Sequence, residues 1–122
     1  MARKPSKKTL KNKLDKLVSE IVRKRGECQL CNKSRRVQLQ CCHIFSRKYL
    51  NTRWDLDNVL CMCAGCHFRS HAEPILFAEW VKKRLGEDKY NLLKEAHNII
   101  YKPTLEDLQT KLKCLEELRT LK

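Results

Sequence analysis

The sequence predicts an α+β fold: a small core of two strands and a helix, stapled by a four-cysteine zinc site and flanked by helices at both ends. Three observations carry that expectation. Two equal Cys-x-x-Cys knuckles, Cys28/Cys31 and Cys63/Cys66, are separated by 31 residues. Between them lie two short stretches that read as strands, VQLQCCHI at 37–44 and NVLCM at 58–62. Towards either end, apolar residues recur three or four positions apart, as on one face of a helix. At 122 residues the chain is one domain by length. With 34% of residues charged and 7% aromatic its core is modest, and domains near this size often lean on a metal.

Leu10, Leu14, Leu17, Val18, Ile21 and Val22 place a helix over residues 6–24, stopped near Gly26. Lys11, Lys13, Lys16, Arg23 and Lys24 cover its other faces. The first knuckle follows, with basic Arg35 and Arg36 just beyond it. Residues 37–44 begin by alternating apolar and polar side chains, the period of a strand. No period runs through RKYLNTRWDLDN, so residues 47–58 are expected to form a loop. After the second strand a helix opens at Ala64. Pro74 starts the next, which holds Ile75, Phe77, Trp80 and Val81 and ends near Gly86. A further helix covers residues 87–100, and Pro103 breaks the chain. Thr104 and Asp107 mark the start of a last helix bearing Leu105, Leu108, Leu112, Leu115 and Leu118. Three segments result: a basic N-terminal arm (1–25), the zinc-stapled core (26–85) and the C-terminal helices (86–122).

The net charge of +13 points to a polyanionic partner, with nucleic acid foremost. Residues 1–25 hold ten Lys or Arg against two acids, whereas the last twenty residues are balanced at four against four. The start, MARKPSKKTLKNK, lacks the apolar stretch of a signal peptide, and no apolar run is long enough to cross a membrane. Eight cysteines in a reducing cytosol read as metal ligands rather than disulfides.

Paired knuckles supply the four soft ligands of a tetrahedral zinc with little strain, so Cys28, Cys31, Cys63 and Cys66 are assigned to one structural zinc. The alternative set, Cys28, Cys31, His67 and His71, would strand Cys63 and Cys66. A finger made of Cys63, Cys66, His67 and His71 fails for another reason: Cys66 and His67 are adjacent, without the spacer that a two-Cys, two-His finger needs. With the cysteines satisfied among themselves, His67 and His71 are free. They stand at i and i+4, on one helix face, where both can hold one ion.

The stretch CCHIFSRKYLNTRWDLDNVLCMCAGCH, residues 41–67, resembles the HNH or ββα-metal nucleases. It has a His at the end of the first strand, an Asn before the second and a His opening the helix. HIFSR and WDLDN look most like the small zinc-stapled phage members, of the NinG or Rap recombination type. The resemblance spans residues 26–85. It implies a ββα-metal core and a metal-dependent DNA endonuclease leaving a 5′-phosphate and a 3′-hydroxyl. In that scheme His43 is the general base, Asn58 holds the loop that carries it, and His67 with His71 binds the catalytic ion. That ion is Mg²⁺ or another divalent such as Mn²⁺ or Zn²⁺. One departure concerns Cys42, which stands where many relatives have another metal ligand. Either it is spare and the ion has two protein ligands, or the site takes a softer metal; the first reading is preferred.

Arg47, Lys48, Arg53 and Arg69 are candidate phosphate contacts. Trp54 is expected to cap the core rather than stack on a base, and Cys41 and Cys61 to pack in the core. His97 is read as structural, and Cys114 as part of the last helix's apolar face. The likeness to phage recombination proteins favours branched DNA, a Holliday junction or D-loop, in the cytoplasm of an infected bacterium. Leu105, Leu108, Leu112 and Leu115 offer a seam for a homodimer; packing of that stripe against its own domain is the preferred reading. The competing function is a zinc-stapled DNA-binding module without catalysis. That reading accounts for the charge but not for the order His43, Asn58, His67.

Overall fold

Ser6 opens the first helix because its hydroxyl accepts the otherwise unpartnered Thr9 N–H at 3.1 Å. The helix, α1 (Lys7–Arg23), buries Leu10, Leu14, Leu17, Val18 and Val22 and leaves its lysines in solvent. Gly26, at φ +86°, makes the left-handed turn that sends the chain into the first knuckle. The computed structural model describes residues 5–32 and 38–121. Arg35, Arg36 and the expected strand start at Val37 lie outside them.

Strands β1 (Leu39–His43) and β2 (Val59–Cys63) pair antiparallel, with Cys41 opposite Cys61 and His43 opposite Val59. Side chains alternate between the two faces of such a sheet, which divides the interior in two. On one face, Val59 and Cys61 join the leucines of α1, Trp54, Leu108 and Leu115. On the other, Cys42, Leu60 and Met62 pack with the knuckle cysteines and Val81. The outer edge of β2 is closed by the first knuckle: Gln29 N–H donates to Cys61 O at 2.7 Å, and Cys61 N–H donates to Gln29 Oε1 at 2.8 Å. Among the described residues, no third strand covers the outer edge of β1.

Between the strands, residues 47–58 are more ordered than a loop. They contain α2 (Leu50–Arg53) and a single 3₁₀ turn over Leu56–Asn58, in which the Asp55 carboxylate accepts the Asp57 N–H. Elements of three or four residues are too short to show a period, which is why the sequence did not reveal them. β2 then runs directly into α3 (Ala64–Ala72), with Pro74 starting α4 (Pro74–Leu85). Gly86, at φ +87°, turns the chain into α5 (Glu87–His97). This helix ends three residues before the expected boundary, because the N–H groups of Asn98 and Ile99 fold back onto Glu95 and Ala96.

The last helix, α6 (Leu105–Thr120), begins with a reciprocal capping box between Thr104 and Asp107. Its leucine stripe is spent inside the chain: Leu108 and Leu115 are buried against α1, and Leu105 and Leu112 pack at the margin. Cys114 lies off that stripe and is exposed. The N-terminal segment, the sheet and the C-terminal helix thus share one core rather than forming separate units. No helix among the described residues is long and apolar enough to cross a membrane.

Leu108→Ala removes a side chain only 1% exposed and should lower the unfolding free energy by about 2–5 kcal/mol in urea denaturation. The midpoint should not depend on protein concentration. A loss that grows on dilution would instead mean that the stripe serves a second copy of the chain.

Candidate metal centre and phosphate groove

The two knuckles bring four sulfurs together. The Sγ atoms of Cys28, Cys31, Cys63 and Cys66 lie within 4.8 Å of one another, with Cys31 and Cys63 3.8 Å apart. A tetrahedral site with Zn–S bonds of ~2.3 Å places its sulfurs about 3.8 Å apart, so the cluster is already near the dimensions of a zinc site. Each knuckle also turns a backbone N–H onto its first sulfur: Cys31 N–H onto Cys28 and Cys66 N–H onto Cys63, both at 3.5 Å. Burial raises the Cys28 thiol, but the N–H groups of Cys31, Cys63 and Leu30 and the Cys31 thiol outweigh it and draw the pKa down to about 6. Cys66 moves the opposite way, pushed up first by burial and then by the neighbouring thiols. Four thiolates at this spacing therefore coexist only around a cation, which is what a structural metal site requires.

Cys63 is also the N-cap of α3, so the metal knuckle sets where that helix starts. Cys66 and Ser70 form its buried face, and His67 and His71 stand one step round it, their rings 5.1 Å apart. The His67 Nδ1–H donates to Gln40 Oε1 at 2.7 Å, which leaves Nε2 as the ligand atom. Burial, then the neighbouring His71, lowers the His67 pKa and keeps the ring neutral, the form that binds metal. No third Cys, His, Asp or Glu joins this pair among the described residues. An ion held here would have these two protein ligands among the described residues. Cys42 does not face the pair. It is 1% exposed, its sulfur lies 3.7 Å from Ser70 Oγ, and burial raises its pKa, so it sits in the core as a thiol.

His43 ends β1 on the opposite face, held by two arrangements. Its Nε2–H donates to the Arg53 carbonyl at 2.9 Å. Beneath it, the fully buried Asn58 ties both ends of the intervening loop. Its Nδ2 donates to the carbonyls of Phe45 and Thr52, both at 3.0 Å, and its Oδ1 accepts Phe45 N–H at 2.8 Å. Burial lowers the His43 pKa, outweighing the bond to Arg53. The ring lines a groove of about 330 Å³ beside β1, with Asp15, Ser19 and Arg23 of α1, Gln40 and Arg47.

The candidate phosphate ligands separate. Arg47 and Arg53 both reach Asp15, Arg53 through Nε at 3.0 Å and Nη2 at 2.6 Å and Arg47 through Nη2 at 2.9 Å. Arg53 is mostly covered, whereas the Arg47 side chain is 58% exposed at the groove mouth. Lys48 lies over the Tyr49 ring, 5.0 Å from its centroid. Arg69 lines a different and largely apolar groove with Leu30, Phe77 and Trp80, away from His43. Trp54 is buried with its Nε1–H on Asp15 at 2.9 Å, and His97 stacks on Phe45 at 4.3 Å. Two groups escaped the sequence reading. Asp15 had a visible signal, as one of two acids in a basic segment and four residues from Ser19. Gln40 had none.

No protein-family model, curated protein or solved structure matches the chain. The functional reading therefore rests on the residues and their geometry.

Replacing Cys63 with Ser should release the metal and unfold the sheet together, because Cys63 is both a ligand and the end of β2. A thiol-displacement assay should count one tightly held zinc in the wild type and essentially none in the variant, with loss of the cooperative thermal transition. A variant that keeps full cooperativity without metal would show the cluster to be ordinary packing.

Proposed function

We propose that the protein is a metal-dependent DNA endonuclease of the HNH type, its ββα unit formed by β1, β2 and α3. The observation that carries the reading is the double role of Gln40. It lines the groove with His43 on one side and accepts from His67 on the other. Gln40 thus links the groove that His43 lines on one face of the sheet to the histidine pair on the other.

A phosphodiester lying in this groove meets the exposed guanidinium of Arg47 and the neutral imidazole of His43. His43 takes a proton from a water, whose oxygen attacks phosphorus as the bond to the 3′ oxygen breaks. The products are a 5′-phosphate and a 3′-hydroxyl. A divalent ion held by His67 and His71 supplies charge stabilisation to the phosphate and the leaving oxygen. Asn58 keeps the loop, and with it the Arg53 carbonyl that orients His43, in place. The charge of +13 and the lysines of α1 supply attraction to DNA that salt weakens. Branched DNA in phage recombination, within the cytoplasm of an infected bacterium, is the substrate and setting that the sequence likeness favours. With the α6 stripe packed on α1, a homodimer through this helix would use its exposed end, Leu118 and Leu121.

A second reading, a zinc-stapled DNA-binding module, is favoured by the absence of a third protein ligand beside His67 and His71 among the described residues. Plasmid nicking with Mg²⁺, Mn²⁺ or Zn²⁺ separates the two. The wild type should nick, and His43→Ala should lose about 10²–10⁴-fold in rate while still binding zinc and DNA. Zinc-loaded wild type that binds linear and branched DNA but cuts neither with any ion would establish the binding module instead.

The pH profile has a definite sign. With its folded-state pKa lowered by burial, His43 is neutral throughout the physiological range and protonates only below its ordinary value of about 6.5. Cleavage should fall to half only at a pH below 6.5, where the folded ring gains its proton. An NMR titration that places the His43 midpoint above 6.5 would contradict this.

A further inference from the structure

The groove that would receive a phosphate contains a carboxylate. Asp15 costs this surface a positive charge, so its presence calls for a compensating task. Its side chain is 19% exposed, and each oxygen accepts twice. Oδ1 takes the N–H groups of Arg53 Nε and Trp54 Nε1, and Oδ2 takes those of Arg53 Nη2 and Arg47 Nη2. The grip on Arg53 is bidentate, the geometry that fixes a guanidinium in direction as well as distance.

Arg53 is the last residue of α2, where helix carbonyls lack intrahelical partners. Its carbonyl oxygen accepts from His43 Nε2. A carbonyl can only accept, so Nε2 must carry the ring proton. A neutral imidazole has one N–H, which leaves the lone pair on Nδ1. We propose that Asp15 is a positioning residue for cleavage, a role that rests on the nuclease reading above: through Arg53 it holds His43 in the Nε2–H tautomer and leaves Nδ1 to take the proton from water. The N-terminal helix is then part of the catalytic apparatus rather than only a basic arm. In the wrong tautomer the ring presents an N–H to the water and cannot act as its base.

The test uses full-length, zinc-loaded protein with ¹⁵N-labelled histidine rings, observed at mildly alkaline pH, together with single-turnover plasmid nicking in Mn²⁺. The wild type should show His43 as the Nε2–H tautomer. Asp15→Asn should populate both tautomers and slow nicking at saturating DNA by about tenfold or more, without raising the half-saturating DNA concentration, since a negative charge leaves the groove. Arg53→Lys keeps the charge but loses the paired contacts. It should behave the same way, and it carries the test if Asp15→Asn does not fold. Arg47→Ala, which touches the same carboxylate without joining the bridge, should leave the tautomer alone. Retention of the Nε2–H tautomer in both bridge variants would overturn the proposal, as would mixed tautomers with undiminished nicking. A wild type that cuts no DNA with any ion would remove the nuclease reading and the reaction role together; the ring spectra would still show whether Asp15 sets the tautomer.

Discussion

Everything on one side of the sheet depends on the electrostatics of four sulfurs within 4.8 Å of one another. Thiolates at that distance repel strongly in a half-buried setting, and only a cation turns their proximity from a cost into a source of stability. Once it does, the consequences propagate along the chain. The first knuckle seals the outer edge of β2 through Gln29, and the second ends β2 and caps α3. The start of α3 fixes the azimuth of every residue that follows it. His67 and His71 thereby acquire their direction from a cysteine cluster to which they do not belong.

The other side of the sheet is organised without metal, by saturated polar groups. Asn58 uses its amide fully against backbone, and Asp15 receives four donors. Both groups are shielded, so each bond is worth more than its surface equivalent, and loss of one partner leaves others unsatisfied. His43 hangs between them by way of the Arg53 carbonyl. The result is a histidine whose height is set by Asn58 and whose orientation is set by a helix 28 positions earlier in sequence, counting from Asp15 to His43. Gln40 of β1 reaches both sides: it lines the groove with His43 and accepts from His67.

Much of this was legible in the sequence for identifiable reasons. The cysteine spacing fixed a cluster because two equal knuckles have few geometric solutions. Long amphipathic stretches gave α1, α4 and α6, whose periods span several turns. Asn58 stands out through likeness to a motif rather than through any periodic signal. What stayed hidden depends on contacts distant in sequence. Arg47 and Arg53 look like two free phosphate ligands, yet both are tied to Asp15, and only the more exposed Arg47 stands at the groove mouth. Cys42 is read from the sequence as spare beside a metal-ligand position, and its thiol lies in the core against Ser70. Cys114 fell inside a leucine-rich helix but lies off the stripe that α1 covers.

The nine residues from Cys63 to His71 would then divide two metals between two tasks, a structural zinc on the cysteines and a second divalent ion on the histidines. Mn²⁺ uptake by the zinc-loaded protein, followed by electron paramagnetic resonance with a non-cleavable phosphorothioate DNA present, tests this most directly. One zinc and one further Mn²⁺ per chain are expected. Replacing His67 and His71 with Ala together should abolish the Mn²⁺ while the zinc stays. Equal Mn²⁺ binding with both histidines gone, or zinc lost along with them, would contradict it.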